Sequence, residues 1–187
     1  MSGAVTLTAA QLQSLCTVPY ARKACVQFVD PINEHAATYG LNTRLRLAAL
    51  LAQALHETTQ FQFLHELGSQ AYLAKYDTGS LATQLGNTPE ADGDGQLYKG
   101  RGLGMITGLA NYTAMGKAMG LDLINHPEQL EEPGPAVESF CIYWGSRKLS
   151  PYADAGNIDK ISRLINGGTN GLAERRAFYT AALGVLA

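Results

Sequence analysis

The chain has 187 residues, 46% of them apolar and 16% charged, with 20 Gly, 7 Pro and a formal net charge of -2. That length suits one domain with a sizeable core, and the composition excludes a disordered, collagen-like or coiled-coil chain. The near-neutral balance offers no broad attraction to phosphate backbones, so nucleic acid is not an expected partner; no run approaches the ~20 apolar residues of a spanning helix, so the chain is not expected in a bilayer.

The opening segment MSGAVTLTAAQLQSL lacks the basic and apolar regions of a secretory signal and reads as the start of the fold. Thr8-Ala-Ala-Gln11 has the form of a capping box, predicting a short helix that ends near Leu15. A second helix is predicted from about Ala21 to Tyr39, with Gly40 placed as its left-handed stop. Asn42 and Thr43 then offer N-caps to the most regular helix, Arg44 to about Thr58, whose Leu47, Leu50, Leu51, Ala54 and Leu55 recur at helical spacing and predict one buried face. Between Gln60 and Gly108 the periodicity fails. Glycines punctuate this stretch, which is expected to be a long irregular segment or small hairpin beside a substrate cleft, with Tyr72, Tyr76 and Tyr98 on an ordered surface.

Further helices are predicted from about Ala110 to Met119, Pro135 to Leu149, Asp159 to Ile165 and Leu172 to Leu186, with Gly120 and Gly167 as stops. Trp144 continues the apolar stripe Val137, Phe140, Cys141 and is expected in the core. The cysteines Cys16, Cys25 and Cys141 are too sparse for a disulfide framework and are expected to be buried thiols, with a Cys16–Cys25 bridge left open in an oxidising space. Arg147, Lys148, Arg175 and Arg176 form either a positive face for an anionic polymer or a solvated helix face.

The sharpest local signal is a pair of His-Glu steps, His56-Glu57 and His65-Glu66. A zinc protease helix needs a second His three residues after the Glu, and that position is Gln60, so a metal site is not expected. On one unbroken helix Glu57 and Glu66 would stand about 13 Å apart along the axis and point away from each other. They can cooperate only if the helix ends between them, and Thr58-Thr59-Gln60-Phe61 is a plausible ending. Two carboxyls in unlike surroundings are what glycoside hydrolysis requires, one as acid and one as base; two solvated surface glutamates are the alternative. The Gly100 to Met105 stretch lacks the last glycine of a dinucleotide fingerprint, and no cofactor is expected.

Several segments occur in order: Ala54-Leu55-His56-Glu57-Thr58, Leu85-Gly86-Asn87-Thr88, Tyr98-Lys99-Gly100-Arg101-Gly102 through Ile106-Thr107-Gly108, Asn111-Tyr112, and Ile165-Asn166-Gly167-Gly168-Thr169-Asn170-Gly171. From Leu47 to Ala187 this resembles the glycoside hydrolase family 19 catalytic domain, most closely its bacterial and phage lytic branch. The resemblance implies a mainly α, two-lobed, lysozyme-like domain over residues 1–187, without a separate wall-binding module, that cleaves β-1,4 bonds beside N-acetylated sugars with inversion.

By the same resemblance Glu57 matches the general acid, Glu66 the general base, and Thr107 the residue that holds the attacking water. Asn111 and Asn166 match substrate-contacting asparagines, and Arg176, with Arg175 as the alternative, matches the arginine that organises the acid pair. His56, Tyr72, Tyr98 and Tyr112 complete the expected substrate-contacting set, with helix-end hydrogen bonding the other reading of His56. Met105 stands where the family commonly has Gln, and the two glutamates are closer in sequence than in plant chitinases. The expected function is therefore a peptidoglycan-degrading endolysin of the muramidase type; an endochitinase is the first alternative and a non-catalytic glycan-binding protein the second. The chain is expected to act as a monomer, to be made in a bacterial cytoplasm, and to reach the wall after a separate holin permeabilises the membrane.

Overall fold

In the computed structural model, which describes residues 3–186, the backbone is helical wherever it is regular. In chain order the helices are α1 (Ala9–Leu15), α2 (Pro19–Ala24), α3 (Val29–Thr38), α4 (Arg44–Glu57), α5 (Gln70–Leu73), α6 (Gly79–Leu85), α7 (Asp94–Leu97), α8 (Leu109–Met119), α9 (Pro133–Ser146), α10 (Ser150–Asp154), α11 (Ile158–Asn166) and α12 (Leu172–Val185). The mainly α class is as expected from the sequence, and among the described residues only isolated β-bridges occur. No described helix is long and apolar enough to cross a membrane. The chain divides into two compact units, one reaching to Gln62 and resuming at Cys141, the other running from Phe63 to Phe140.

In the first unit, Thr8 and Gln11 form the capping box of α1. The single helix predicted from Ala21 to Tyr39 is instead broken into α2, a 3-10 turn over Cys25–Phe28, and α3. Pro31 gives the reason: its ring would collide with the carbonyl four residues back in a continuous helix, and the break places it in the first turn of α3. α4 is the centre of the unit. Leu47 through Leu55 are all buried, so the helix is enclosed on every side rather than along one face. Its alanines let α12 and α10 approach, and its four buried leucines contribute roughly 2 kcal/mol apiece by burial. Arg44 Nη2 donates to the Leu183 carbonyl at 2.6 Å near the end of α12. Cys16 and Cys25 are unbridged buried thiols, and burial pushes Cys16 up to about 12.

α4 stops through an unusual turn. Thr59, Gln60 and Phe61 all have positive φ, 49°, 63° and 64°, a left-handed run that non-glycine residues rarely adopt. Three interactions over-determine it. The Thr58 hydroxyl donates to the Ala54 carbonyl at 2.6 Å and accepts from the Phe61 N–H at 2.8 Å; the Gln60 amide is held by the backbone and hydroxyl of Thr17; and Phe61 is buried against Phe28, with ring centroids 4.8 Å apart. Glu57 is thereby fixed as the last residue of α4.

The second unit holds the segment expected to be irregular, and it contains short helices, α5 to α7, rather than loop alone. The anticipated hairpin is reduced to bridges, His65 to Arg101 and Arg101 to Ile106. Its core includes Leu73, Tyr98, Leu103, Tyr112, Leu130 and Phe140. Arg101 organises this core. Its guanidinium donates to Glu131 at 2.8 Å, to the Leu97 carbonyl at 2.6 Å and to the Tyr112 hydroxyl at 2.9 Å. The buried Asn87 amide donates to the Tyr76 carbonyl at 2.9 Å and accepts from the Leu109 N–H at 2.7 Å, so the Leu-Gly-Asn-Thr motif joins the turn after α5 to the start of α8.

Candidate active site

Two carboxylate clusters stand out, one in each unit. In the first, Glu57 closes α4 with its side chain 20% exposed, and Arg175 from the first turn of α12 lies 2.5 Å away with its own side chain only 2% exposed. The same guanidinium donates to Gln53, one turn back on α4, and Gln53 in turn donates to Ser162 of α11 at 3.1 Å. The Nε of Arg175 is buried without a partner. A buried cation tolerates such a place only when paired, and Glu57 supplies the pairing.

Beside this pair, His56 Nδ1 lies 2.5 Å from Glu174 Oε2, which fixes the ring tautomer when Glu174 is ionised. The face of that ring abuts Gly171, which precedes α12 with φ of 67°. A Cβ there would fall 2.0 Å from the imidazole, so only glycine suits both the backbone and the contact. The preceding loop is tied by Asn166, whose amide donates to the Asn170 carbonyl at 2.7 Å and accepts from the Gly168 N–H at 2.8 Å. Tyr143 of α9 is also near: burial raises its phenol above the ordinary value, and the charge of Glu57 adds to the shift.

In the second unit Glu66, with its side chain 21% exposed, accepts a hydrogen bond from the Tyr76 hydroxyl at 3.1 Å on Oε1 and from the Gly100 N–H at 3.4 Å on Oε2, while Lys75 Nζ stands 3.5 Å from Oε1. All three neighbours are donors, which leaves Glu66 in an acceptor role. Gly100 lies close against both groups: an added Cβ would meet Thr107 Oγ1 at 3.2 Å and Glu66 Cβ at 3.4 Å. Thr107 therefore flanks the same strip of backbone as Glu66. Its hydroxyl donates to the Met105 carbonyl at 2.9 Å, and Asn111, in the first turn of α8, donates to the Thr107 carbonyl at 2.7 Å. Tyr72 remains 49% exposed.

Three sequence expectations need correction. Arg176 does not reach Glu57; it pairs with exposed Asp159, and Arg175 holds the carboxylate. Tyr112 is fully buried, its hydroxyl donating to the Lys99 carbonyl at 2.7 Å, and burial pushes that phenol up to about 12 against the pull of Arg101. Tyr98 is likewise buried, its ring 5.3 Å from that of Tyr112. Both tyrosines face the core rather than a substrate. Of the four basic residues, Arg175 is interior, whereas Arg147, Lys148 and Arg176 are exposed, with Arg147 over the Tyr143 ring at 5.3 Å. Sequence reasoning missed Gln53, Lys75 and Glu174. Gln53 was signalled by its place one turn before Glu57 on an otherwise apolar helix.

The family profile described as chitinase class I matches residues 13–149. A Haemophilus influenzae protein described as containing a glycosyl hydrolase family 19 domain is 33% identical, over 87% of this chain and 90% of its own length. An Arabidopsis thaliana endochitinase is 31% identical over 80% of this chain and 48% of its own length, so this chain spans about half of that plant relative. Among solved structures, a bacterial family 19 chitinase superposes with a TM-score of 0.73 at 21% identity, covering 97% of this chain and 95% of that one, a likeness of fold. The Asn166 to Gly171 loop and Arg175 lie beyond the residues the profile matches. Taken with the helical architecture, these matches establish that the chain belongs to glycoside hydrolase family 19 and is a glycosidase.

Proposed function

We propose that this glycosidase is a muramidase-type endolysin, cleaving the β-1,4 bond between N-acetylmuramic acid and N-acetylglucosamine in peptidoglycan by an inverting acid–base mechanism. In this reading Glu57 protonates the glycosidic oxygen, Glu66 takes a proton from the attacking water, and Thr107 orients that water. The observation that supports the reading best is the contrast between the two carboxylates. Glu57 has a single ionic partner, buried Arg175, whereas Glu66 is surrounded by a phenol, an amide and an ammonium that leave it as acceptor.

The chain departs from the chitin-type pattern at Met105, whose thioether stands two residues before Thr107 where the family commonly places Gln. Substrate contacts are assigned to Tyr72, Asn111 and, through the loop it ties, Asn166. The protein would be made in a bacterial cytoplasm and act on the wall after the membrane is permeabilised. The endochitinase reading remains the second, because the plant relatives carry that name. Digestion of purified peptidoglycan and of chitin by wild type and Glu57→Gln, with mass spectrometry of new reducing ends, separates the two. Muropeptides ending in N-acetylmuramic acid, absent with the variant, are expected. Products from chitin alone would move the protein to the second reading, and full turnover by Glu57→Gln would remove Glu57 as the acid.

A further inference from the structure

We infer that Lys75 is a positioning residue that locks Glu66 and the exposed ring of Tyr72 into one rigid unit. The inference rests on the reading of Glu66 as the base. Lys75 lies in the 3-10 turn Ala74–Tyr76 that follows α5. Its ammonium sits over the Tyr72 ring at 3.4 Å from the centroid, 4.5 Å from that of Tyr76, and 3.5 Å from Glu66 Oε1. One cation thus contacts two aromatic faces and a carboxylate, while Tyr76 donates to the same carboxylate oxygen at 3.1 Å. Burial works against the ammonium charge, but the two phenols and Glu66 outweigh it and hold Lys75 above the ordinary lysine value.

The backbone beneath is built to keep this arrangement. Ser69 caps α5 by accepting from the Tyr72 N–H at 3.2 Å, and Asn87 fixes the Tyr76 carbonyl at 2.9 Å. Gly68 has no side chain because one would meet Tyr72 Cδ1 at 2.5 Å, so the ring packs directly on its backbone. With one face covered by Lys75 and an edge on Gly68, Tyr72 offers its exposed remainder as a flat apolar surface of the kind sugars stack on. Lysine supplies what neither neutral phenol can: a single charge that ties the orientation of that surface to the orientation of the base.

The test is steady-state kinetics of the full chain on solubilised peptidoglycan and on a chitin hexamer for wild type, Lys75→Met, Lys75→Arg and Glu66→Gln. Tyrosine titrations by carbon-13 NMR accompany it, with Tyr76 assigned through Tyr76→Phe. Lys75→Met should lower kcat by roughly 10- to 100-fold, the scale of a small misplacement of a catalytic group, with a smaller rise in KM. Lys75→Arg should recover to within about threefold of wild type, because a guanidinium both stacks on aromatic rings and pairs with carboxylates. The Tyr76 phenol, already raised by burial and by Glu66 and lowered by Lys75, should titrate higher in Lys75→Met and lower in Glu66→Gln. Unchanged kinetics in Lys75→Met, or failure of Arg to rescue, would overturn the positioning role. An unmoved Tyr76 titration would overturn the clamp itself, whether or not either glycan is cleaved. Undiminished turnover by Glu66→Gln would instead remove the reading of Glu66 as base.

Discussion

Exchanging either of two adjacent arginines for Met puts the burial argument to its hardest test. Arg175 has its side chain 2% exposed, pairs with Glu57 at 2.5 Å and also donates to Gln53. Removing one partner of a buried ion pair costs about 3–5 kcal/mol, mostly because the other charge is left without compensation. Glu57 keeps 20% of its side chain in contact with water, which places the expected loss for Arg175→Met near the lower end, about 3 kcal/mol. In a chain of this size that corresponds to a fall in Tm of roughly 6–12 °C. Arg176→Met, which breaks only an exposed pair with Asp159, should leave the midpoint unmoved. Urea and thermal unfolding followed by circular dichroism give the free energies and the Tm values, and a cycle with Glu57→Gln should return a coupling of about 2 kcal/mol. Equal losses in the two arginine variants, or a cycle additive within ~0.5 kcal/mol, would refute the assignment of Arg175 as the buried partner.

Gly171→Ala should be far more damaging than an alanine at an ordinary turn, since the new Cβ would lie 2.0 Å from the His56 ring at a φ of 67°. We expect at least ~3 kcal/mol lost in urea unfolding together with a displaced His56 signal in NMR, and a wild-type imidazole environment would contradict the contact. Thr59→Asn should raise Tm by roughly 2–4 °C, because asparagine tolerates the left-handed region that exposed Thr59 occupies at a φ of 49°; a lower Tm would show that no strain resides there. Arg46 donates to Asp154 and holds its carboxyl below the ordinary value. A depressed carboxyl stabilises the fold above its unfolded value near pH 4 and loses that contribution as pH falls through its folded value. Asp154→Asn should therefore be less stable than wild type at pH 6 by at most ~0.5 kcal/mol, the pair being largely exposed, and indistinguishable at pH 2; a gap that widens in acid would reverse the sign of the linkage.

Much of the helical framework was legible because its signals are local. Thr8 with Gln11, Thr43 before α4, and Gly120 and Gly167 after α8 and α11 each mark an end through a hydrogen bond or a backbone angle that depends on neighbours within a turn. The break in the predicted Ala21 to Tyr39 helix was equally local and was readable from Pro31. The short helices between Phe63 and Leu97 were not, because a four-residue helix such as α5 carries too few positions to show a period. Tyr98 and Tyr112 illustrate a different limit. A tyrosine beside a glycine-rich motif has the same letters whether it faces a sugar or an arginine, and only the buried Arg101 guanidinium, reached across a bridge to Ile106, decides that Tyr112 points inward.

The arginine choice, by contrast, was available in the sequence through helical phase. Arg175 is in step with Phe178, Tyr179, Ala182 and Leu186, the residues α12 and its C-terminal neighbour bury, whereas Arg176 falls one position out of step and onto solvent. Placing a charge on the buried stripe is costly unless something opposite demands it, and the demand comes from Glu57. Glu57 is in turn held at that point by the left-handed turn of Thr59, Gln60 and Phe61, which a helix with ordinary termination would not need. A buried cation on one helix and a strained stop on another are two departures from the locally favourable choice. They meet at one carboxylate, and that coincidence marks Glu57 as the residue whose position the first unit is built to hold.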